Sequence, residues 1–117
     1  MQVIPRVILS LTMILALALP AASERPRPLG WAMDAMRNGN WEIASALAAR
    51  DGQVASDVIT WHRLRAGRGT YDEVVAFLAR NPDWPGEPYL LRRSEPAVLK
   101  AGPAAVAAFF ADHTPQT

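Results

Sequence analysis

Few side chains in this sequence could perform acid–base or metal chemistry, and they stand apart. His62 and His113 are its only histidines, and it has no cysteine. It therefore has no thiolate metal ligand, no cysteine nucleophile and no disulfide. No zinc-protease, nucleophile-elbow or glycine-rich phosphate-loop motif occurs. We predict no catalytic residue, metal or cofactor, and we interpret His62 as a packed or boundary histidine.

The acidic side chains fall where they would support helices. Glu42, Asp72 and Glu73 lie in the first turns of predicted helices, where the helix dipole favours negative charge. A general acid would need an apolar pocket that raises its pKa. No local pattern predicts such a pocket, so the carboxylates do not indicate an active site.

One basic group has two interpretations. Arg63, Arg65 and Arg68 lie at the end of a predicted helix, where cations interact favourably with the helix dipole. They could also contact an anionic polymer or a partner domain. The four tryptophans could stack on sugar rings, although at helical spacing they more often fill a core. We take Arg63, Arg65, Arg68 and Trp84 as candidates for glycan or partner contact.

Length and composition allow one domain at most. The chain has 117 residues, half of them apolar, and a formal net charge of +1. Such a composition does not predict a disordered chain. The small charge argues against a nucleic-acid partner, because phosphate binding needs a basic excess on one face.

The first 23 residues are typical of a secretory signal peptide. Arg6 precedes the apolar run VILSLTMILALAL, and small residues follow at 20–23. The run is shorter than the roughly 18 apolar residues of a membrane span, although an uncleaved anchor or a buried core helix would also be apolar. We predict an exported chain, with cleavage after Ala22 or Ser23, that keeps no stable membrane anchor.

The remaining residues predict a short extended leader, 24–28, and then six helices. The third helix carries Val54, Val58 and Trp61 on one face. The fourth begins with Thr70 and Glu73 as a capping box. Proline disfavours a helix interior, so Pro96 is predicted to kink or split the fifth helix.

These helices repeat with a period near 30 residues. The stretch from Trp41 matches the stretch from Tyr71 at an offset of 30, and residues 73–82 match 105–114 at an offset of 32. Alanines recur at 46, 49, 76 and 79, which predicts close helix approach. We expect an all-α domain over 29–117, in which antiparallel hairpins at 29–50, 54–81 and 86–112 stack as a tetratricopeptide-like α-solenoid superhelix.

The ends of the hairpins lead to two further expectations. Residues 81–88, rich in proline, should link the second and third hairpins, with Trp84 filling the gap between them. No hairpin follows the third within this sequence, so Val106, Phe109 and Phe110 should be partly uncovered. Exposed apolar surface of this kind predicts self-association.

From about Trp31 onward, two motifs carry a family resemblance. They are W-x-R-L-R-A-G-x-G at 61–69 and F-L-A-R-N-P-D-W-P-G at 77–86. Together they resemble the N-terminal superhelical region of soluble lytic murein transglycosylases from alphaproteobacteria. The resemblance covers nearly all of the chain after the signal peptide but a small part of the family's usual length.

The resemblance implies a scaffold beside a lysozyme-like domain that cleaves the MurNAc–GlcNAc bond of peptidoglycan and leaves 1,6-anhydro ends. In that family the catalytic glutamate stands in a Glu-Ser motif, and no Glu-Ser dipeptide occurs here. We therefore expect a periplasmic scaffold fragment in cell-wall turnover, inactive alone, whose partner is peptidoglycan or a separate catalytic domain. It would come from a truncated gene or be a free-standing remnant. The alternative is a periplasmic helical-repeat adaptor that binds a protein or peptide.

Overall fold

The computed structural model describes residues 27–117, which form six α-helices and no strand. The helices are α1 (Pro28–Arg37), α2 (Trp41–Ala49), α3 (Gln53–Arg65), α4 (Tyr71–Arg80), α5 (Glu87–Ala101) and α6 (Pro103–Asp112). The all-α prediction is confirmed for this part of the chain. The predicted signal peptide lies outside the described residues. None of the helices between residues 27 and 117 has the length and apolarity to cross a membrane.

The start of α4 shows how the sequence sets a helix boundary. Thr70 is the N-cap, and its hydroxyl accepts a hydrogen bond of 3.3 Å from the Glu73 N–H, which confirms one half of the predicted capping box. The other half is wrong, because the Glu73 carboxylate pairs with Arg63 of α3 and does not turn back to the Thr70 N–H. Glu73 therefore connects two helices in addition to favouring the start of its own.

Helix α5 continues through Pro96, so the predicted split is wrong. An interior proline costs about 3 kcal/mol, but each buried Leu or Val side chain contributes roughly 1.5–3 kcal/mol. Leu90 and Leu91 are buried before the proline, and Val98 is buried after it. Pro96 itself lies on the exposed side of the helix, where water can reach the carbonyl that loses its donor. Burial of both halves therefore outweighs the proline.

Two core clusters run along the domain, and α3 contributes to both. The first lies among α1, α2 and α3 and consists of Ala32, Ala44, Ala48, Ala55 and Ile59. The second lies among α3, α4, α5 and α6 and consists of Leu64, Val74, Phe77, Leu90, Leu91, Val98 and Phe109. Ile59 and Leu64 belong to different clusters, so α3 joins the two halves of the described chain.

The helices contact their neighbours in a regular order. Helix α1 packs on α2 and α3, and α2 also packs on α3. Helix α3 then packs on α4 and α5, α4 packs on α5, and α5 packs on α6. Helices α1 and α3 thus each contact both the next helix and the one after it.

The predicted packed face of α3, and that of the helices with recurring alanines, are wrong, because the observed faces are rotated about the helix axis. Val54 is 75% exposed, whereas Ala55 and Ile59 are buried, so the inward face of α3 is displaced by one residue, or about 100°. The recurring alanines at 46, 49, 76 and 79 are exposed. They stand two residues from the inward positions 44, 47, 74 and 77, of which Leu47 is half-buried and the others are buried, and so lie on the other side of the helix. Alanine suits any helical position, so its recurrence does not identify the packed face.

One residue of the last helix is better covered than expected. Phe109 is 3% exposed and belongs to the second cluster, so the prediction that it is partly uncovered is wrong. Val106 and Phe110 are half-buried, as that prediction expects, and pack against the same cluster. The apolar side chain most exposed near this end is Leu99 of α5, at 64%.

Candidate functional site

Aromatic rings meet where α3 approaches the linker before α5. The Trp61 Nε1–H donates to the Pro85 carbonyl oxygen at 3.0 Å. The Trp84 ring stacks on Trp61, with centroids 6.5 Å apart, and on Phe77 of α4, with centroids 5.1 Å apart. Trp84 is half-buried between these contacts. Its aromatic surface is thus used largely in packing the linker against α3 and α4.

A second set of contacts alternates guanidinium groups with rings. The Arg65 Cζ lies 4.4 Å from the Trp61 ring centroid and 5.1 Å from that of Tyr89. The Arg92 Cζ lies 5.5 Å from the Tyr89 centroid. We call Trp61, Arg65, Tyr89 and Arg92 the arginine–aromatic row. It joins α3 to the first turns of α5, and each guanidinium in it contacts an aromatic ring.

The three arginines predicted from the sequence have different surroundings. Arg63 pairs with Glu73 and donates to the Arg68 carbonyl oxygen at 2.8 Å, so it stabilises the end of α3. Arg65 belongs to the arginine–aromatic row. Arg68 is exposed in the loop that follows α3. The structure therefore does not gather the three arginines into a single cluster.

Sequence reasoning missed the α5 side of this region. Arg93 donates to the Ala66 carbonyl oxygen at 3.2 Å. It also lies so close to Gly67 that a Cβ there would come within 3.2 Å of its Nη2. Tyr89, Arg92 and Arg93 thus come beside the end of α3 although they follow it by more than 20 residues. The signal was the polar face of α5, but only the packing of α5 on α3 brings it here.

The resulting surface carries uncompensated positive charge. Among the described residues, Arg27, Arg37, Arg63 and Arg80 each pair with a carboxylate. No carboxylate between residues 27 and 117 forms an ion pair with Arg65, Arg68, Arg92 or Arg93. Acidic and basic side chains are equal in number over this range. Arg65, Arg92 and Arg93 lie beside the end of α3, and Arg68 is exposed in the loop that follows. These cations give this part of a domain that is neutral overall a local positive potential.

A recess lies at one edge of this surface. It has a volume of about 570 Å³ and is lined by Arg92, Arg93, Gly67, Pro96, Ala97, Gln116 and Thr117. A larger recess, of about 690 Å³, lies between α4, α5 and α6, and alanines form much of its lining. None of the predicted contact residues lines either recess. The smaller recess is the one that adjoins the basic surface.

His62 lies beside this region and packs against Trp61. Its ring meets the Trp61 ring edge-on, with centroids 4.9 Å apart. Burial, and to a lesser degree the positive charge of Arg65, lowers the pKa of His62 below 6.5. The imidazole is therefore neutral at physiological pH. Over residues 27–117, no three His, Asp or Glu side chains converge as a metal site would require.

Glu95 is a buried carboxylate with a structural role. Its Oε1 accepts a hydrogen bond of 2.5 Å from the Gln116 N–H, and its Oε2 accepts one from the Thr117 hydroxyl. These bonds, that of Thr117 first, lower the pKa of Glu95 below 4.5. A catalytic acid needs the opposite shift. Glu95 instead holds the C-terminal segment against α5.

Comparison with known proteins identifies no relative. No protein-family model matches the chain, and no curated protein or solved structure matches it either. The resemblance to lytic transglycosylases therefore rests on the two sequence motifs.

Proposed function

We propose that residues 29–117 form a helical-repeat scaffold that acts by binding. In this proposal the chain corresponds to the N-terminal scaffold region of a periplasmic lytic murein transglycosylase and contributes to peptidoglycan turnover. It has no reaction of its own, and cleavage belongs to a separate lysozyme-like domain. The packed His62 and the tail-bound Glu95 fit a protein without an acid–base centre.

The observation that carries the repeat interpretation is the recurrence of one burial pattern in three helices. Positions 44, 74 and 106 lie inward on α2, α4 and α6, and so do positions 47, 77 and 109. Positions 46, 76 and 108, and likewise 49, 79 and 111, are exposed in all three. The same offsets of 30 and 32 residues align the sequences. The order of helix neighbours is also what stacked hairpins require.

Peptidoglycan as the partner follows from the family resemblance and from the nature of the exposed surface. The W-x-R-L-R-A-G-x-G motif contains Trp61 and Arg65 of the arginine–aromatic row, and Arg68 in the loop that follows α3. The F-L-A-R-N-P-D-W-P-G motif contains Phe77 and Trp84. Trp84 stacks on both Trp61 and Phe77. Both motifs therefore serve the same part of the fold, and that part bears the unpaired cations.

The test is incubation of the purified full chain with insoluble peptidoglycan sacculi. We expect the chain to sediment with the sacculi and to release no anhydromuropeptides, as judged by mass spectrometry of the supernatant. An active lytic transglycosylase, run in parallel, shows that the sacculi are cleavable. Release of anhydromuropeptides by this chain alone would refute the scaffold function. Failure to sediment would refute peptidoglycan binding and favour the protein-binding adaptor.

A further inference from the structure

We propose that the arginine–aromatic row, together with Arg68 and Arg93, is a receptor for the carboxylates of a polymer. This inference rests on the proposed function, under which the polymer is peptidoglycan and the carboxylates are those of its stem peptides. The observations behind it are the position of the guanidinium groups, their missing ion pairs and the adjoining recess.

The rings orient the guanidinium groups. Arg65 contacts both Trp61 and Tyr89, and Arg92 contacts Tyr89 from within the same helix. A guanidinium that packs against a ring keeps in-plane N–H groups for a ligand; in Arg65 these are the terminal groups, because its Nε is buried. Those N–H groups match the two oxygens of a carboxylate and can form paired hydrogen bonds. Contact with the rings also reduces the side-chain freedom that binding would otherwise remove.

The site is fixed to the fold at two points. Trp61 donates to the Pro85 carbonyl, and Arg93 donates to the Ala66 carbonyl. These bonds hold the end of α3, the linker and α5 in one arrangement. Arg92 and Arg93 line the recess of about 570 Å³, which offers a carboxylate a partly enclosed position between α5, the loop after α3 and the C-terminal segment.

Several cations on one face favour a polymer that carries several carboxylates. A single exposed ion pair is worth little, whereas a polymer can engage several cations at once and gains from each additional contact. Binding through such contacts weakens as salt screens the charges. We therefore expect affinity for sacculi to fall as the salt concentration rises.

The experiment compares binding of the full chain and two variants to purified sacculi in a sedimentation assay. The test variant is R68Q/R92Q. Both side chains are exposed, so their removal should not disturb the core. The control is R50Q, which makes the same chemical change at an exposed position on α2. A second arm offers the unmodified chain sacculi whose carboxylates have been converted to amides.

We expect R68Q/R92Q to bind about tenfold more weakly, R50Q to bind like the unmodified chain, and amidated sacculi to lose most of their binding. Circular dichroism and thermal melting establish that the variants fold. Equal binding by R68Q/R92Q, or equal binding to amidated sacculi, overturns the carboxylate receptor and leaves the scaffold function standing.

If the unmodified chain bound neither sacculi nor polyglutamate, both proposals would be overturned, whereas equal binding by R68Q/R92Q overturns the receptor alone. Polyglutamate serves as a probe for the other class of partner. If the chain bound polyglutamate through Arg68 and Arg92 but bound no sacculi, the receptor would be for an acidic protein and the peptidoglycan assignment would be wrong.

Discussion

Arg80 of α4 pairs with Asp57 of α3, 23 residues earlier in the chain. The Asp57 side chain is 12% exposed, whereas that of Arg80 is 51% exposed. Gln53 donates a second hydrogen bond, of 3.0 Å, to the same carboxylate oxygen. A nearly buried carboxylate thus depends on an arginine at the surface to offset its charge, and the pair holds two consecutive helices together.

Replacing Arg80 with glutamine should destabilise the fold by about 1–2 kcal/mol. Loss of one partner from a fully buried pair costs roughly 3–5 kcal/mol, but exposure of Arg80 to water reduces that figure. The measurement is urea unfolding followed by circular dichroism.

The control is R37Q. Arg37 pairs with Asp34 at 2.6 Å, but both side chains are mostly exposed. Its loss should change the free energy of unfolding by less than about 0.5 kcal/mol. Equal effects of the two variants would contradict a special role for Asp57.

Two glycines offer a second contrast. A Cβ on Gly69 would overlap the Cδ2 of Leu64, which is buried in the second core cluster. We expect G69A to destabilise the protein by about 1–3 kcal/mol through overpacking. Gly30 lies inside α1 with open space around its Cα. G30A should therefore stabilise the protein by about 0.5–1 kcal/mol. Thermal melts should show a lower melting temperature for G69A and a higher one for G30A than for the unmodified chain.

Element boundaries in this protein were largely predictable because local signals set them. The Thr70 cap and the first-turn prolines of α5 and α6 are properties of a few adjacent residues. Continuity of α5 through Pro96 was not predictable in this way. It depends on burial of Leu90, Leu91 and Val98 against helices that are distant in sequence.

The candidate site was predictable only in part, for the same reason. Arg65 and Trp84 were selected because their residue types and positions were visible in the motifs. Tyr89 and Arg92 carry an ordinary exposed-helix pattern, and they become part of the site only through the approach of α5 to α3. Arg63 looked equivalent to Arg65, yet it pairs with the Glu73 carboxylate, which lies three residues after the Thr70 N-cap of α4.

His62 should make the protein less stable in mild acid. Its pKa is lower in the folded chain than the ordinary 6.5, so the unfolded chain binds a proton first as pH falls. The stability present above about pH 6.5 is then lost as pH falls through the folded pKa. Between about pH 7.5 and 5.5, the unmodified chain should lose more free energy of unfolding than H62Q. Equal losses in the two proteins would contradict this account.

Self-association stays a prediction, and Leu99 is the side chain that best tests it. It is exposed beside the exposed Lys100 near the end of α5. If this end of the domain associates through apolar surface, L99Q should lower the fraction of oligomer measured by light scattering at a given concentration. The control is V54Q, which changes an exposed apolar residue near the start of α3. A chain that is monomeric at high concentration would contradict the prediction.

The C-terminal segment should control the pKa of Glu95. The Thr117 hydroxyl and the Gln116 N–H lower the pKa of the Glu95 carboxyl, so a chain without residues 116 and 117 should have a higher Glu95 pKa, because the donors that stabilise the carboxylate are gone. NMR titration of the side-chain carboxyl carbon measures it. T114A is the control, because Thr114 contributes only its backbone oxygen, to the Gln116 side chain, and both donors to Glu95 remain.

In the intact chain, the stability that these bonds supply is present above about pH 4.5 and is lost as pH falls through the lowered pKa. The shortened chain lacks these bonds, so its free energy of unfolding should fall less as pH is lowered through this range. Identical titration curves for the two chains would show that the segment does not bind Glu95 in solution.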